Sequence, residues 1–163
     1  MQVYLVQHGA SKSEAQDPQR NLTEEGRRVV EQMAEHLAGT GLSIDHIEHS
    51  DKLRARQTAE ILASKLKPPN GTEQVSGLAP NDDVTPMRLR LQKEEKNLML
   101  VGHLPYLSRL LSSLLLVDED RPLVEFRMGG VVCLERVENT VWRLLWALIP
   151  ELLKAPSTAR RAA

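Results

Sequence analysis

The sequence predicts an α/β fold: a three-layer sandwich with a mostly parallel central sheet and helices on both faces. Segments with strand and helix patterns alternate through most of the chain, which is typical of this class. The clearest strand, residues 97–102, is apolar on both faces, as parallel strands covered by helices are. With 163 residues the chain is long enough for one hydrophobic core, so we expect a single domain over residues 1–154.

Local patterns assign the elements of the first half. Thr23 precedes Glu24 and Glu25, whose charges suit a helix N-terminus, and apolar residues then recur at helical spacing. The predicted elements are a strand at 1–8, a helix at 24–38, a strand at 44–49, a helix at 53–66, a surface connection over 70–83 and a weaker helix at 84–94.

The second half contains a leucine-rich stretch, 104–117, that we interpret as a buried helix. Serine and arginine interrupt it, and a membrane-spanning helix needs about 20 apolar residues. Pro105 suits its first turn. Residues 130–137 and 140–148 predict a hairpin with Glu138-Asn139 as its turn, and 155–163 predict a flexible tail.

Composition excludes several function classes. The chain carries 21 Lys+Arg against 22 Asp+Glu and only five aromatic residues, so neither nucleic acid nor an anionic membrane is expected as the main partner. This charge balance is still compatible with small phosphorylated ligands. Cys133 is the only cysteine, which excludes an internal disulfide and a Cys-rich zinc site and favours a cytoplasmic location. We expect it to be a small buried apolar residue.

Two histidines follow predicted strands. His8 lies between Gln7 and Gly9, and His103 follows Gly102. In α/β folds, ligands bind at the carboxyl ends of strands. A single histidine at such a position is usually structural, but two of them, each beside a glycine, indicate a functional site.

These histidines belong to a set of motifs that are spread over the chain. The motifs are Gln7-His8-Gly9, Leu22-Thr23-Glu24-Glu25-Gly26, residues 50–60 (Ser-Asp-Lys-Leu-Arg-Ala-Arg-Gln-Thr-Ala-Glu) and Gly102-His103-Leu104-Pro105. In order and spacing they resemble those of the histidine phosphatase superfamily. The short length, without a large inserted lid, resembles its small SixA-type phosphohistidine phosphatases.

The resemblance implies a role for each matching residue. His8 is expected to be the nucleophile that takes the phosphoryl group, with Arg54 and His103 binding the phosphate oxygens. Gly9 is expected to let the backbone approach and to donate its N–H to phosphate. The further phosphate-site residues are Gln7, Gly9, Arg20 and Leu104. Neither a metal nor a cofactor is implied.

Four further histidine and arginine positions could be functional or structural. His46 and His49 stand at odd spacing in a predicted strand, so their rings should lie on opposite faces, and we expect a surface or edge role. Arg56 is expected on the surface. Arg20 matches a SixA-type arginine, although a solvated loop position is equally compatible with the sequence.

The chain departs from the family pattern at three points. The family's Arg-His-Gly begins here with Gln7, and its Ser-Pro is Ser-Asp, with Asp51 either orienting Arg54 or competing for it. No glutamate stands in a clear proton-donor position. Asp82 and Asp83 are candidates by location, with a solvated loop the favoured interpretation.

The sequence therefore predicts a metal-independent phosphatase that removes phosphate from a histidine of a partner protein through a phospho-His8 intermediate. The lost arginine charge predicts attenuated catalysis, and Lys12 or Arg20 is a candidate to replace it. Two alternatives stay open. One is a weak or inactive module that binds phospho-ligands, and the other is a phosphatase for small phosphate esters.

Overall fold

The sheet of the computed structural model has six strands, and the structure describes residues 1–116, 118, 120–138 and 140–153. The strands are β1 (Gln2–Gln7), β2 (His46–His49), β3 (Thr72–Gln74), β4 (Leu98–Gly102), β5 (Val131–Glu138) and β6 (Val141–Leu148), in the order β3-β2-β4-β1-β5-β6. The first four strands of that order run parallel to one another. β5 pairs antiparallel with β1, and β6 pairs antiparallel with β5.

Four α-helices cover the two faces of the sheet. They are α1 (Glu24–Gly39), α2 (Leu53–Leu66), α3 (Thr85–Leu91) and α4 (Tyr106–Leu115), with a 3₁₀ helix at Pro150–Leu153. One core lies between the sheet and α1 and α2, and the other lies between the sheet and α3 and α4. The predicted three-layer α/β sandwich is confirmed. No helix in the described part of the chain is long and apolar enough to cross a membrane.

Strand β1 shows how the sequence builds both cores. Val3 and Leu5 pack toward α3 and α4, whereas Tyr4 and Val6 pack toward α1 and α2. All four are almost completely buried. Side chains alternate along a strand, so Gln7 belongs to the face of Val3 and Leu5.

Most element boundaries agree with the sequence to within two residues, and α1 begins as predicted. The Thr23 hydroxyl accepts a hydrogen bond from the Gly26 N–H at 2.9 Å, the capping contact that such a residue provides. The predicted helix at 104–117 is shorter, and Val117 lies outside the described residues, as do Asn139 of the predicted turn and the predicted tail at 155–163.

The prediction of a plain surface connection over 70–83 was wrong. It contains β3, which pairs with β2 in parallel, and Leu78, which is fully buried. Strand β3 is three polar, exposed residues, Thr72–Gln74, so it lacks the hydrophobic alternation that predicts strands.

The expectation for His46 and His49 was also wrong in part. β2 is an interior strand between β3 and β4, and His49 is buried, with its Nδ1 2.8 Å from the Ser50 carbonyl oxygen. His46 is half-buried, and its Nε2 lies 3.9 Å from a Glu73 carboxylate oxygen. β2 is not the edge strand because β3, which the sequence did not predict, pairs with it on that side.

Candidate active site

The two strand-end histidines meet at one edge of the sheet. β1 and β4 are parallel neighbours with Gln7 opposite Gly102, and the His8 N–H donates to the Gly102 carbonyl at 3.2 Å. The two imidazole rings therefore lie 4.9 Å apart between centroids, with 56° between their planes. Both side chains are buried. The structure brings together the pair that the sequence singled out.

His8 is held as a neutral imidazole with one unprotonated nitrogen. Its Nδ1 lies 2.7 Å from the Gly9 carbonyl oxygen, which only accepts, so Nδ1 carries the proton. Nε2 then has a lone pair, which accepts a hydrogen bond from Arg54 Nε at 3.2 Å. Burial, with help from the charges of Arg54 and Arg20, lowers the pKa of His8 to about 4. At neutral pH its Nε2 therefore carries an unprotonated lone pair, the form that a nucleophile requires.

Arg54 stands in the first turn of α2, which begins three residues after Ser50. Burial and the neighbouring charge of Arg20 lower the pKa of Arg54, but a guanidinium remains positive in proteins. One turn later, Thr58 donates its hydroxyl to the Arg54 carbonyl at 2.7 Å and accepts the Gly9 N–H at 3.0 Å. Thr58 thus ties α2 to the loop that carries His8.

His103 follows β4 and is fixed by Ser50. Its Nε2 lies 2.6 Å from the Ser50 hydroxyl oxygen, whereas its Nδ1 is buried without a hydrogen-bond partner in the described residues. Burial, together with the proximity of His8 and Arg54, lowers the pKa of His103 to about 3. Like His8, it is a neutral ring at physiological pH.

Arg20 reaches the same site from the loop before α1. Its backbone is left-handed, with φ of 54°, and its Nε donates to the Lys12 carbonyl at 3.3 Å. Together with Arg54 and Lys52 it lines an open cavity of about 640 Å³, and its charge acts on both His8 and Arg54. Of the two environments that the sequence left open, the structure favours the site over a solvated loop.

Gln7 lies beside this cluster without the charge that the family motif has there. Its Oε1 is buried and has no hydrogen-bond partner in the described part of the chain, and its backbone carbonyl accepts the Gly129 N–H at 2.9 Å. Lys12, a predicted replacement for the lost charge, lies 3.9 Å from the Asp17 carboxylate instead. Arg20 is the remaining candidate.

The Gly9 amide and the Leu104 side chain contact other groups than the predicted phosphate. The Gly9 N–H donates to Thr58, so it is not directed at a ligand. Gly9 is required for packing, because a Cβ there would come within 2.8 Å of Val30 Cγ2. The exposed Leu104 side chain points into a different cavity, of about 490 Å³, which Ser108 and Phe126 also line.

The nearby carboxylates are engaged elsewhere. Asp51 pairs with Lys52 at 3.0 Å, and no hydrogen bond or ion pair joins it to Arg54 among the described residues. Asp82 accepts the Ala79 N–H and Asp83 accepts the Thr85 N–H, both at 2.8 Å. The Thr85 contact lowers the pKa of Asp83, which keeps this carboxylate ionised.

Residues outside the cluster behave as predicted. Arg56 is exposed and pairs with Glu60 one turn later at 2.8 Å, and Cys133 is buried in β5. Within the described ranges, no group of three or more His, Cys, Asp and Glu side chains could hold a metal ion. The sequence analysis missed Ser50 and Thr58 as site residues, although both stand inside the motif at 50–60.

Comparisons with known proteins identify relatives of this chain. Residues 3–78 match the model of the histidine phosphatase superfamily (branch 1). Phosphohistidine phosphatase SixA of Escherichia coli K12 is 32% identical over 94% of this chain and 97% of that protein. An uncharacterised protein of Picosynechococcus is 36% identical over 64% of this chain and 67% of its own length.

Solved structures give the same result. A protein histidine phosphatase SixA solved in complex with tungstate superposes with a TM-score of 0.85 at 28% identity, over 94% of this chain and all of that one. The fold, the paired histidines and these relatives agree, and this chain belongs to the histidine phosphatase superfamily, with the SixA-type proteins among its relatives.

Proposed function

We propose that this protein is a phosphohistidine phosphatase that removes phosphate from a histidine of a partner protein by way of a phosphorylated His8. The observation that carries the proposal is the state of His8. Its Nδ1–H donates a hydrogen bond to the Gly9 carbonyl, and its Nε2 lone pair accepts a hydrogen bond from Arg54 Nε. Such a nitrogen can attack phosphorus without first losing a proton.

The reaction has two steps at the same nitrogen. In the first, His8 Nε2 forms a bond to phosphorus while the bond to the substrate ring breaks, and that ring, protonated on its other nitrogen, leaves as neutral imidazole. In the second, a water oxygen attacks phosphorus, the bond to His8 Nε2 breaks, and dihydrogen phosphate leaves with both water protons while His8 returns to its neutral form. Phosphoryl transfer requires mainly positioning and charge balance from the protein. Arg54 and Arg20 supply positive charge that balances the negative charge of the equatorial phosphoryl oxygens, and both line the same open cavity.

The proton inventory favours phosphohistidine over phosphate esters. Alcohol leaving groups need a positioned acid, but both histidines are neutral at physiological pH and Asp83 is held ionised. An imidazole leaving group has a pKa of about 6.5 and departs with little help. The SixA relatives support this substrate class, since one carries that activity in its name and one was solved with tungstate, a tetrahedral oxyanion.

Gln7 supports a second candidate function. Without the arginine charge of the family motif, a charge-assisted hydrogen bond of about 1.5–3 kcal/mol is missing, equivalent to roughly tenfold to hundredfold weaker transition-state binding. The second candidate is therefore a module that retains phospho-ligands without turning them over. We favour the attenuated enzyme, because the groups that act on phosphorus, His8 and Arg54, are intact and in contact.

The proposal extends to context. We infer a single domain over residues 1–154, a phosphorylated protein as the partner, no role in nucleic-acid or membrane binding, and a cytoplasmic location. The balanced charge and the single buried cysteine support these inferences.

The test is phosphate release, with a chelator present, from a histidine-phosphotransfer protein phosphorylated on its histidine. We expect release by the natural protein, none by the His8→Ala variant, and much slower release from glucose 6-phosphate. His36→Ala, an exposed histidine on α1, is the matched control and should keep full activity. Tight binding of the phosphoprotein without release would support the binding module. Faster hydrolysis of glucose 6-phosphate would refute the phosphohistidine assignment.

A further inference from the structure

Ser50 has a place in this site that the sequence motif does not explain. β2 ends beside β4 with His49 opposite Val101, and the Ser50 N–H donates to the Val101 carbonyl at 3.2 Å. The Ser50 hydroxyl therefore comes to lie against His103, which follows the same strand end. Ser50 is only 1% exposed, so its hydroxyl must find its partners inside the protein.

The contacts of that hydroxyl define its hydrogen-bonding role. Its oxygen lies 2.6 Å from His103 Nε2, and the Lys52 N–H points at the same oxygen from 3.4 Å. The Lys52 N–H can only donate to this oxygen. A proton on His103 Nε2 would give the oxygen a second donor and leave the hydroxyl hydrogen free to point elsewhere, whereas a lone pair on Nε2 would accept that hydrogen.

The other ring nitrogen shows which tautomer is stable. His103 is neutral and carries one proton, on either Nδ1 or Nε2. Nδ1 is buried without any hydrogen-bond partner in the described residues, so a proton there would be an orphaned buried donor, which proteins avoid. A proton on Nε2 is instead accepted by Ser50.

We propose that Ser50 is a positioning residue that keeps the proton of neutral His103 on Nε2, so that this N–H can be shared, as a three-centre hydrogen bond, between the Ser50 oxygen and an oxygen of the transferring phosphoryl group. Only Nε2 can serve, because Nδ1 is closed off from any ligand. A bare Nε2 would present a lone pair to the phosphoryl oxygens and repel them. This inference rests on the proposed function and adds a residue to its machinery.

His8 and His103 then have opposite tautomers. His8 bears its proton on Nδ1, against the Gly9 carbonyl, and presents a lone pair at Nε2. His103 bears its proton on Nε2, against Ser50, and presents a donor. The Gly9 carbonyl thus sets the tautomer of the nucleophile His8, and the Ser50 hydroxyl sets the tautomer of the donor His103.

The first test needs no substrate. Two-bond ¹H–¹⁵N correlation NMR of the natural protein distinguishes the two neutral tautomers of each histidine, and the spectrum of His103→Gln identifies the His103 signals. We expect His103 protonated on Nε2 and His8 protonated on Nδ1. A His103 proton on Nδ1 would overturn the proposal whatever the enzymatic activity, so this result is separate from the fate of the proposed function.

The second test uses Ser50→Ala with the phosphorylated histidine-phosphotransfer protein. We expect kcat to fall about threefold to tenfold, KM to stay within about twofold, and the His103 signals to show loss of the single tautomer. Ser50→Thr, which keeps the hydroxyl, should restore both the signal and kcat. Ser113→Ala removes a buried hydroxyl that, among the described residues, bonds to the Leu110 carbonyl alone, and it should change neither. An unchanged tautomer with normal kcat in Ser50→Ala would contradict the proposal.

Discussion

The loop of His8 and the loop of His103 start from equivalent places and end in different states. Both follow neighbouring parallel strands, and both rings are buried and neutral. His8 is fixed through its own loop, by the Gly9 carbonyl, and Arg54 contacts its outer nitrogen. His103 is fixed through a neighbouring loop, by Ser50. Identical side chains at equivalent strand ends thus acquire different chemistry from the atom that each ring nitrogen contacts.

Arg54→Ala should have the largest effect on this comparison, because it removes the charged group that contacts His8 Nε2. Loss of one charge-assisted contact of about 1.5–3 kcal/mol predicts roughly tenfold to hundredfold lower kcat/KM for phosphoprotein hydrolysis. Arg56→Ala is the control on the same helix, since Arg56 is exposed and pairs with Glu60. Equal losses of kcat/KM in both variants would show that Arg54 has no specific role in the reaction.

Gln7→Arg should act in the opposite direction. It restores a positive charge beside the nucleophile, where the Gln7 Oε1 is now buried and unpaired among the described residues. We expect kcat/KM for phosphoprotein hydrolysis to rise about tenfold. The expectation fails if activity is unchanged while thermal unfolding shows that the variant is folded, because Arg20 would then already supply all the charge that the site uses.

Thr58→Val should weaken the His8 loop more modestly. The change is nearly isosteric but leaves the Gly9 N–H without its acceptor, so we expect a decrease of about fivefold in kcat/KM. Ser64→Ala removes a hydroxyl from the same helix whose one bond within the described part of the chain is to the Ile61 carbonyl, and it should be neutral. If both variants retain full activity, Thr58 does not position the nucleophile.

The smallest effect should come from pH. Because burial lowers the pKa of His8 to about 4, the neutral nucleophile is already fully formed well above that value, and protonation takes it away only as the pH falls through about 4. The ¹⁵N signals of His8 should therefore not titrate between about pH 7.5 and 5.5. A midpoint near 6.5, the ordinary histidine value, would show that the ring is more solvated than the structure indicates.

The sequence predicted the fold class and the paired histidines because both rest on strong local signals. The apolar run of β4 and the glycines beside His8 and His103 are visible without a structure. Strand β3 was missed because Thr72–Gln74 is polar and exposed, and only pairing with β2 makes it a strand. The role of Gly9 was misassigned because a glycine required for packing against Val30 looks the same in sequence as one required by a ligand.

Ser50 and Thr58 were missed for a related reason. Each acts across the sheet edge, on His103 and on the Gly9 N–H respectively, from positions at least 49 residues away in the chain. Motif letters record that such residues are present. They do not record which ring nitrogen or backbone donor a hydroxyl contacts, which only the packed strand ends determine.

The central claim is that His8 Nε2 receives the phosphoryl group, and trapping the phosphorylated protein tests it most directly. The natural protein would be mixed with the phosphorylated histidine-phosphotransfer protein, quenched in alkali to preserve phosphohistidine, digested, and analysed by mass spectrometry. We expect a phosphoryl group on the peptide that contains His8, with none on the peptide that contains His103, and its absence in His8→Ala. Phosphate release with no phosphorylated His8 at any quench time, or with release retained in His8→Ala, would contradict the account.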